Sequence, residues 1–505
     1  MRRLASLAPL LIVAFAAQGC GSSSSDPSPA PSGGAGAGGA GGAGGATGAT
    51  RPLSPSTCAY DTTPRMEYTD VFAPKSDAEL AKQALGAAPQ PKRVRLGLGG
   101  AVAPGAAGRV DASRTIAIAW ETDLETTATT VELGTSPDPA AWTTRVDGFS
   151  YVVPEGKAAI GGSDLRMHEA HVCGLEPKTT YYYRVGGGPP GKEVWSDVIP
   201  FHTLTTSADD KVVIAATGDS RGENKNAWQI LQGRLAKRGD IDVQLFSGDM
   251  IDLATDQGAY GKWLDSATTG VDGAPSTLGR MLLLQAMGNH EAYSSPFFAT
   301  VVQPQDPAAQ GKFSELFFSL EVGPAHVIVL DDFAIGSATA MPGYREQALA
   351  WLKADLDAAV KDRAAHPWIL AVHHHGEWTS SNHADDKAVL EVRKALTPLW
   401  DEAGVDLVLD GHDHNYERSK KLKLGADGKP VIGAGTSYVV CAGSGADGYG
   451  TGTSAWTDKT FDYSKGPAIG VYAVLTIERS KLSLEARALT PAGDDPVVDQ
   501  LELTK

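Results

Sequence analysis

Five short runs in this 505-residue chain carry residue types that bind metal ions. In chain order they are Gly218-Asp219, Gly248-Asp249, Gly288-Asn289-His290-Glu291, His373-His374-His375 and Gly411-His412-Asp413-His414. Carboxylate and carbonyl oxygens suit hard cations, and imidazole suits Zn, Fe and Mn. A single aspartate can bridge two ions about 3.5–4 Å apart. Together these residues offer a site for a pair of first-row divalent or trivalent ions. A glycine ahead of a ligand lets the backbone turn sharply there without a Cβ clash. The sequence has no Gly-x-Ser-x-Gly nucleophile motif and no cysteine spacing of the zinc-ribbon kind.

Each run follows a short apolar stretch: 212–217, 243–246, 281–286, 368–372 and 405–409, with a sixth stretch at 327–330. Between them lie helical patterns at 226–238, 344–360 and 386–403. This alternation predicts a layered α/β domain, and open α/β sheets place their sites at the carboxyl ends of strands. In the histidine run, successive side chains of a strand point to opposite faces, so His374 faces one way and His373 and His375 the other. Asp331 and Asp332 end a strand near the site. His326 reads as structural and His366 as solvent-facing.

Upstream, from about 92 to 205, the pattern is all-β. Residues 115–120 alternate at period two, and Val131-Glu132-Leu133 and Tyr181-Tyr182-Tyr183-Arg184-Val185 read as further short strands. About seven such strands in about 110 residues fit a small β-sandwich. His168 and His171 read there as ordinary strand residues. After about 433 the chain returns to strand patterns, such as 471–476.

The N-terminus reads as an address. Arg2 and Arg3 precede an apolar run at 7–17, which is too short for a permanent transmembrane helix, and Ala17-Gln18-Gly19-Cys20 follows. A small-residue site ending in cysteine resembles a bacterial lipobox, with Cys20 lipidated; an ordinary cleaved signal is the alternative. Residues 1–20 form the signal. Residues 21–55, rich in Ser, Gly and Ala, form a flexible tether with a reach of roughly 30 Å. The expected location is extracytoplasmic, in the periplasm or at the cell surface, held to a membrane by the lipid. Cys58–Cys173 is a candidate disulfide in an oxidising compartment; three unpaired thiols, Cys441 included, are the alternative. Charged residues make up 21% and hydrophobic ones 42%, and 44 Lys and Arg stand against 60 Asp and Glu, a net charge of -16. That composition excludes a fully disordered chain and a polytopic membrane protein. The acidity argues against nucleic-acid binding.

The ordered set of five runs resembles the calcineurin-like metallophosphoesterase superfamily. With a β-sandwich ahead of it, it is similar to the purple acid phosphatase branch. The resemblance rests on Gly411-His412-Asp413-His414-Asn415-Tyr416-Glu417-Arg418, on Pro367-Trp368 ahead of the histidine run, and on Thr179 with Tyr181-Tyr182-Tyr183-Arg184. It implies a sandwich over residues 90–206 of the fibronectin III-like type. It also implies a four-layer α/β/β/α core over 210–505 with a dinuclear centre of Fe, Zn or Mn. One metal would take Asp219, bridging Asp249 and His414. The other would take Asp249, Asn289, His374 and His412, with alignment on Pro367-Trp368 favouring His374 over His373. His290, next to Asn289, and His383, nine residues after His374, would stabilise developing charge or protonate the leaving oxygen.

Two positions depart from the branch. The purple members' tyrosine, three residues after the bridging aspartate, is Asp252 here, and the wider superfamily's histidine two residues after the first aspartate is Arg221. Asp252 or water would complete the first metal, the enzyme would lack the iron–tyrosinate colour, and Arg221 would reach a phosphoryl oxygen. The implied reaction is hydrolysis of a phosphomonoester by in-line attack of a hydroxide held between the metals, on a phosphorylated small molecule. A phosphodiesterase or nucleotidase on the same scaffold is the rival within the enzyme class, with substrate choice in loops such as 293–312. A surface-displayed binding module with an inactive site is the rival outside it.

Overall fold

The computed structural model describes residue 58 and residues 77–100, 109–153, 165–221, 226–268, 277–304, 315–337 and 339–505. The expected signal, lipidation site and tether, and residues 305–312 of the substrate loop, lie outside the described residues.

The first part is a β-sandwich of two antiparallel sheets. One sheet runs in the order Lys92–Gly97, Thr115–Thr122, Leu165–Cys173, Phe149–Val153. The other runs Ile199–His202, Thr180–Gly187, Thr130–Gly134, Thr144–Asp147, with Val194–Trp195 at the side of Thr180–Gly187. Ile116, Ile118 and Trp120 of one sheet and Val131, Leu133, Tyr183 and Val185 of the other form the filling. His168 is a core residue there. Its ring stacks on Trp120 at 5.1 Å and bonds to the Thr122 and Thr129 hydroxyls, and burial pushes its pKa down to about 3. His171 is equally buried against Glu169. Cys58 and Cys173 form a disulfide with a sequence separation of 115 residues, and Cys441 is a buried free thiol.

The second part has two sheets packed face to face. The six-stranded sheet runs Leu282–Gln285, Val243–Phe246, Val212–Thr217, Gly470–Glu478, Lys481–Leu489, Val497–Thr504, the first three parallel. The eight-stranded sheet carries Phe317–Val322, Ala325–Leu330, Trp368–His375, Leu407–Gly411 and Ser437–Cys441 in its middle. Of these, Ala325–Leu330, Trp368–His375, Leu407–Gly411 and Ser437–Cys441 pair in parallel and are buried on both faces. Val212, Ile214 and Ala216 meet Leu370, Val372, Leu407 and Leu409 between the sheets. Val213 and Ala215 turn outward with Leu231 and Leu235 of the helix Ala227–Arg238, and Ile369 and Val408 turn outward with Leu352 and Leu396 of the helices Tyr344–Lys361 and Lys387–Ala403. The result is the α/β/β/α layering.

The sandwich is tied to this core through polar groups as well as apolar ones. Arg95 donates from Nε to the Thr300 carbonyl and from Nη2 to the Ala299 carbonyl, both at 2.6 Å, and the Tyr183 hydroxyl donates to the Gly279 carbonyl at 2.7 Å. His366 is not solvent-facing. Its ring reaches the Thr206 carbonyl at 3.0 Å and Asp362 at 2.8 Å, so it joins the segment between the two domains to the core. His326 is structural, held between Asp355 at 2.8 Å and Glu321 at 3.0 Å, and those carboxylates raise its pKa to about 9 against the effect of burial. The helix Gln257–Thr268 and the strand Phe317–Val322 escaped the sequence patterns. No helix among the described residues is long and apolar enough to cross a membrane.

The disulfide closes a long loop, and cross-links of this kind contribute about 2–4 kcal/mol by restricting the unfolded chain. Cys173→Ser is expected to lower the unfolding free energy by that amount, with a lower urea midpoint and a slope that is equal or steeper because the unfolded chain is released, and addition of reductant should have no further effect on the variant.

Candidate metal centre

The runs meet at one edge of the paired sheets. Asp219 and Asp249 follow the adjacent parallel strands Val212–Thr217 and Val243–Phe246, and both are fully buried. His374 lies inside the strand Trp368–His375, which extends through the whole histidine run rather than ending before it. His412 and His414 follow Leu407–Gly411. Backbone freedom sits elsewhere than expected. Of the glycines ahead of the ligands only Gly248 has a positive φ, of 99°, while the ligands Asp219, Asp249 and His412 themselves sit at 51°, 58° and 71°. The glycines serve close approach instead. A Cβ on Gly218 would lie 2.0 Å from the Ser247 hydroxyl, one on Gly288 2.2 Å from Asp249 Oδ1, and one on Gly411 2.5 Å from Asp219 Oδ2.

The polar atoms form two overlapping groups that share one residue. Asp219, Asp249 and His414 converge, as do Asp249, His374 and His412, with one donor atom of each residue within 4.8 Å of the others in its group. His374 donates from Nδ1 to the Ser247 carbonyl at 2.7 Å, so its Nε2 presents a lone pair. That lone pair faces Asn289 Oδ1 at 2.9 Å and Asp249 Oδ1 at 3.4 Å. His414 donates from Nδ1 to the Asp447 carbonyl at 2.8 Å, and its Nε2 faces Asp219 Oδ1 at 3.5 Å. His414 Nε2, Asp219 Oδ2 and Asp249 Oδ2 are buried without a hydrogen-bond partner among the described residues. Acceptors facing acceptors in a dry interior are unfavourable unless a cation lies between them. Histidines whose far ring nitrogen is tied to a carbonyl are oriented as metal ligands are. The donor set fits two ions of the Fe, Zn or Mn type, with Asp249 between them.

The electrostatics point the same way. Burial, with Asp249 alongside, holds the Asp219 carboxyl well above its usual range. Burial pushes Asp249 up too, but His374, His290 and Arg221 outweigh it and hold it well below. His412 is held well below the usual imidazole range by burial and by the rings of His375, His374 and His383. His414 is pushed down to about 3 by burial and Arg221. Neutral imidazoles are the form that binds metal.

The remaining predicted residues line the rim. His290 donates from its backbone N–H to Asp249 Oδ1 at 3.0 Å and from Nδ1 to the Asp252 carbonyl at 2.6 Å, leaving Nε2 to accept from Arg221. Arg221 also pairs with the Asp252 carboxylate at 3.3 Å and lies 3.7 Å from Asp249 Oδ2. Asp252 is half-exposed and engaged with Arg221 and His290, outside both ligand groups, so it does not stand in for a fourth ligand in this structure. His383 sits with its ring centroid 4.2 Å from that of His412, and its Nδ1 meets Asp386 at 2.7 Å. Asp332 does lie near the site, one layer behind it, accepting from His373 and His375 at 2.9 and 3.0 Å.

Sequence reasoning missed the supporting groups. Glu291 accepts from the backbone N–H groups of Asp249, Met250 and Gly288 at 2.9, 2.7 and 2.7 Å, so it clamps two ligand loops together. Burial and Asp249 raise its pKa to about 8. Its place in the Gly288-Asn289-His290-Glu291 run was the available signal. Asp413 accepts from Thr379 at 2.5 Å and from the His383 backbone N–H at 3.2 Å, and Tyr449 stacks on His414 at 4.2 Å.

Comparison with known proteins finds two domain matches along the chain. Residues 108–203 match the purple acid phosphatase N-terminal domain, and residues 212–416 match the calcineurin-like phosphoesterase domain. The chain thus resembles a purple acid phosphatase N-terminal domain followed by a calcineurin-like phosphoesterase domain. Among curated relatives, purple acid phosphatase 18 of Arabidopsis thaliana is 28% identical over 318 residues, covering 61% of this chain and 64% of the relative. Acid phosphatase type 7 of Homo sapiens is 29% identical over 271 residues, covering 50% and 57%. The chain thus spans a little under two thirds of the length of the first of these relatives. The structure of purple acid phosphatase PPD1 from yellow lupin seeds shares the fold, with a TM-score of 0.64 at 16% identity over 82% of this chain and 74% of that one. The structure of PhoD does so with a TM-score of 0.54 at 14% identity over 84% and 92%.

Glu291→Gln would turn an amide N–H toward backbone donors. It is expected to destabilise the phosphoesterase domain by about 2–3 kcal/mol and to weaken metal binding by about 10–100-fold, as read by denaturant unfolding and by metal titration of apoprotein.

Proposed function

We propose that this chain hydrolyses phosphate monoesters of small molecules outside the cytoplasm. The observation that carries the reading is the pair of donor groups sharing Asp249, with lone pairs of His374 and His414 turned on buried carboxylate and amide oxygens. Two bound ions would supply charge neutralisation at the phosphoryl oxygens and a more acidic water. Asp219, Asp249, Asn289, His374, His412 and His414 would hold them.

The chain's own groups do the rest. Arg221, within reach of Asp249 at the rim, can pair with a phosphoryl oxygen through its guanidinium when a substrate displaces its link to Asp252. Asp386 accepts from Nδ1 of His383 and balances the charge of its imidazolium form, in which Nε2–H can donate to the leaving oxygen. His290 is fixed at both its backbone and its ring, so it holds Arg221 over the site. The acidic surface, with a net charge of -16, suits a small substrate drawn to a local cationic centre better than a nucleic acid.

The export reading is supported by Arg2, Arg3, the 7–17 apolar run and Cys20, and by the Cys58–Cys173 disulfide, which suits an oxidising compartment. The residue at the tyrosine position, Asp252, supports a colourless enzyme.

Chelation is expected to abolish release of phosphate from an aryl phosphate, and His412→Ala to lower kcat by about 100-fold or more, since oriented ligands rather than bulk binding carry the rate; activity that survives both would contradict the reading. Metal-loaded protein should show no visible charge-transfer band of the iron–tyrosinate kind. Cys20→Ser should move the full-length protein from the membrane to the soluble fraction on expression in a bacterial host, and unchanged sedimentation with membranes would refute the lipid anchor.

A further inference from the structure

A second cluster of donors lies on the other face of the histidine strand. His374 turns toward Asp249, so His373 turns away from it, beneath the helix Lys387–Ala403. His373, Glu377 and Asp410 each place a donor atom within 4.8 Å of the others, and all are at most 1% exposed. His373 Nε2 is 3.3 Å from Asp410 Oδ1 and 3.6 Å from Glu377 Oε2.

The hydrogen bonds around the cluster are made on its outside. Asp332 accepts from His373 Nδ1 at 2.9 Å and from the backbone N–H and Nδ1 of His375 at 2.8 and 3.0 Å. The Trp400 indole donates to Glu377 Oε1 at 2.9 Å, and its ring lies parallel to that of His373 at 6.3 Å. What remains points inward: His373 Nε2, Glu377 Oε2 and both oxygens of Asp410 have no hydrogen-bond partner among the described residues. Arg393, the nearby guanidinium, has its Nε committed to the Glu377 backbone carbonyl.

We propose that His373, Glu377 and Asp410 hold a third metal ion, a divalent cation of the zinc type, separate from the paired centre. Tetrahedral ligands about 2.0–2.1 Å from zinc are about 3.3–3.4 Å from one another, close to the distances between His373 and its two carboxylates. Asp332 is the carboxylate behind a ligating histidine, the arrangement that fixes tautomer and ring direction. Two carboxylates facing one divalent ion close the charge, whereas without it neither oxygen of Asp410 has a hydrogen-bond partner among the described residues. The site is sealed by Trp400, so the ion enters as the chain folds and joins the strands Trp368–His375 and Leu407–Gly411, whose ends carry His374, His412 and His414.

The test is anomalous diffraction on crystals of the full folded protein, purified from cells supplied with zinc and manganese, together with elemental analysis of the same preparation. A peak between His373 Nε2 and Asp410, and close to three metals per chain, are expected. Asp410→Asn and Glu377→Gln should each remove one equivalent while the pair near Asp249 stays. Peaks at the paired centre with none at His373 would overturn the proposal, and the wild-type map decides even where a variant fails to fold.

Discussion

Two carboxylates, Asp219 and Asp249, are fully buried with oxygens within 4.8 Å of each other. Like charges in a low-dielectric interior repel by several kcal/mol, and burying even one costs several more. The Arg221 guanidinium offsets part of the charge of Asp249 but leaves Asp219 against it, held well above the ordinary carboxyl range. Such a pair is costly to the folded chain unless a proton or a cation takes up the excess. The rest of the phosphoesterase domain can be understood as the means of holding these two groups, and the imidazoles around them, still.

The means are layered. Parallel pairing in register, Thr217 beside Phe246 and Phe246 beside Gln285, delivers the strand ends to one edge. Side-chain alternation along Trp368–His375 sends His374 to that edge and His373 behind it. Glycines 218, 288 and 411 let the loops touch where any Cβ would collide. Behind the ligands, the Ser247 and Asp447 carbonyls set the histidine tautomers, and Glu291 binds the loops through three backbone N–H groups. A fold in which each ligand depends on a different loop needs this cross-bracing, because a displacement of a fraction of an ångström spoils coordination.

Much of this was legible in the sequence, and the parts that were not share a cause. The strand Val212–Thr217 and the helices near 226–238, 344–360 and 386–403 followed from apolar period, because their burial on one face or both leaves a repeating signature. The six candidate ligands were picked out by residue type at strand ends and by the family resemblance, and the fold brings them to one edge. What escaped depends on contacts between distant segments. His366 reads as a polar residue before Pro367, yet it reaches Thr206 across 160 residues. The left-handed backbone at Asp219, Asp249 and His412 is imposed by the packing of neighbouring loops, so no local pattern announces it. Glu291 stands inside a recognised run, but its partners Asp249 and Met250 lie some forty residues earlier.

The central claim, that cations reconcile Asp219 with Asp249, has a direct thermodynamic signature in the sign of one substitution. Calorimetric unfolding of the wild type and of Asp219→Asn, each metal-free and metal-loaded at neutral pH, is the measurement. The account predicts a reversal: the asparagine variant melts above the wild type without metal, because a buried repulsion is gone, and below it with metal, because a ligand is gone. A variant that is destabilised to the same extent in both states would contradict the account.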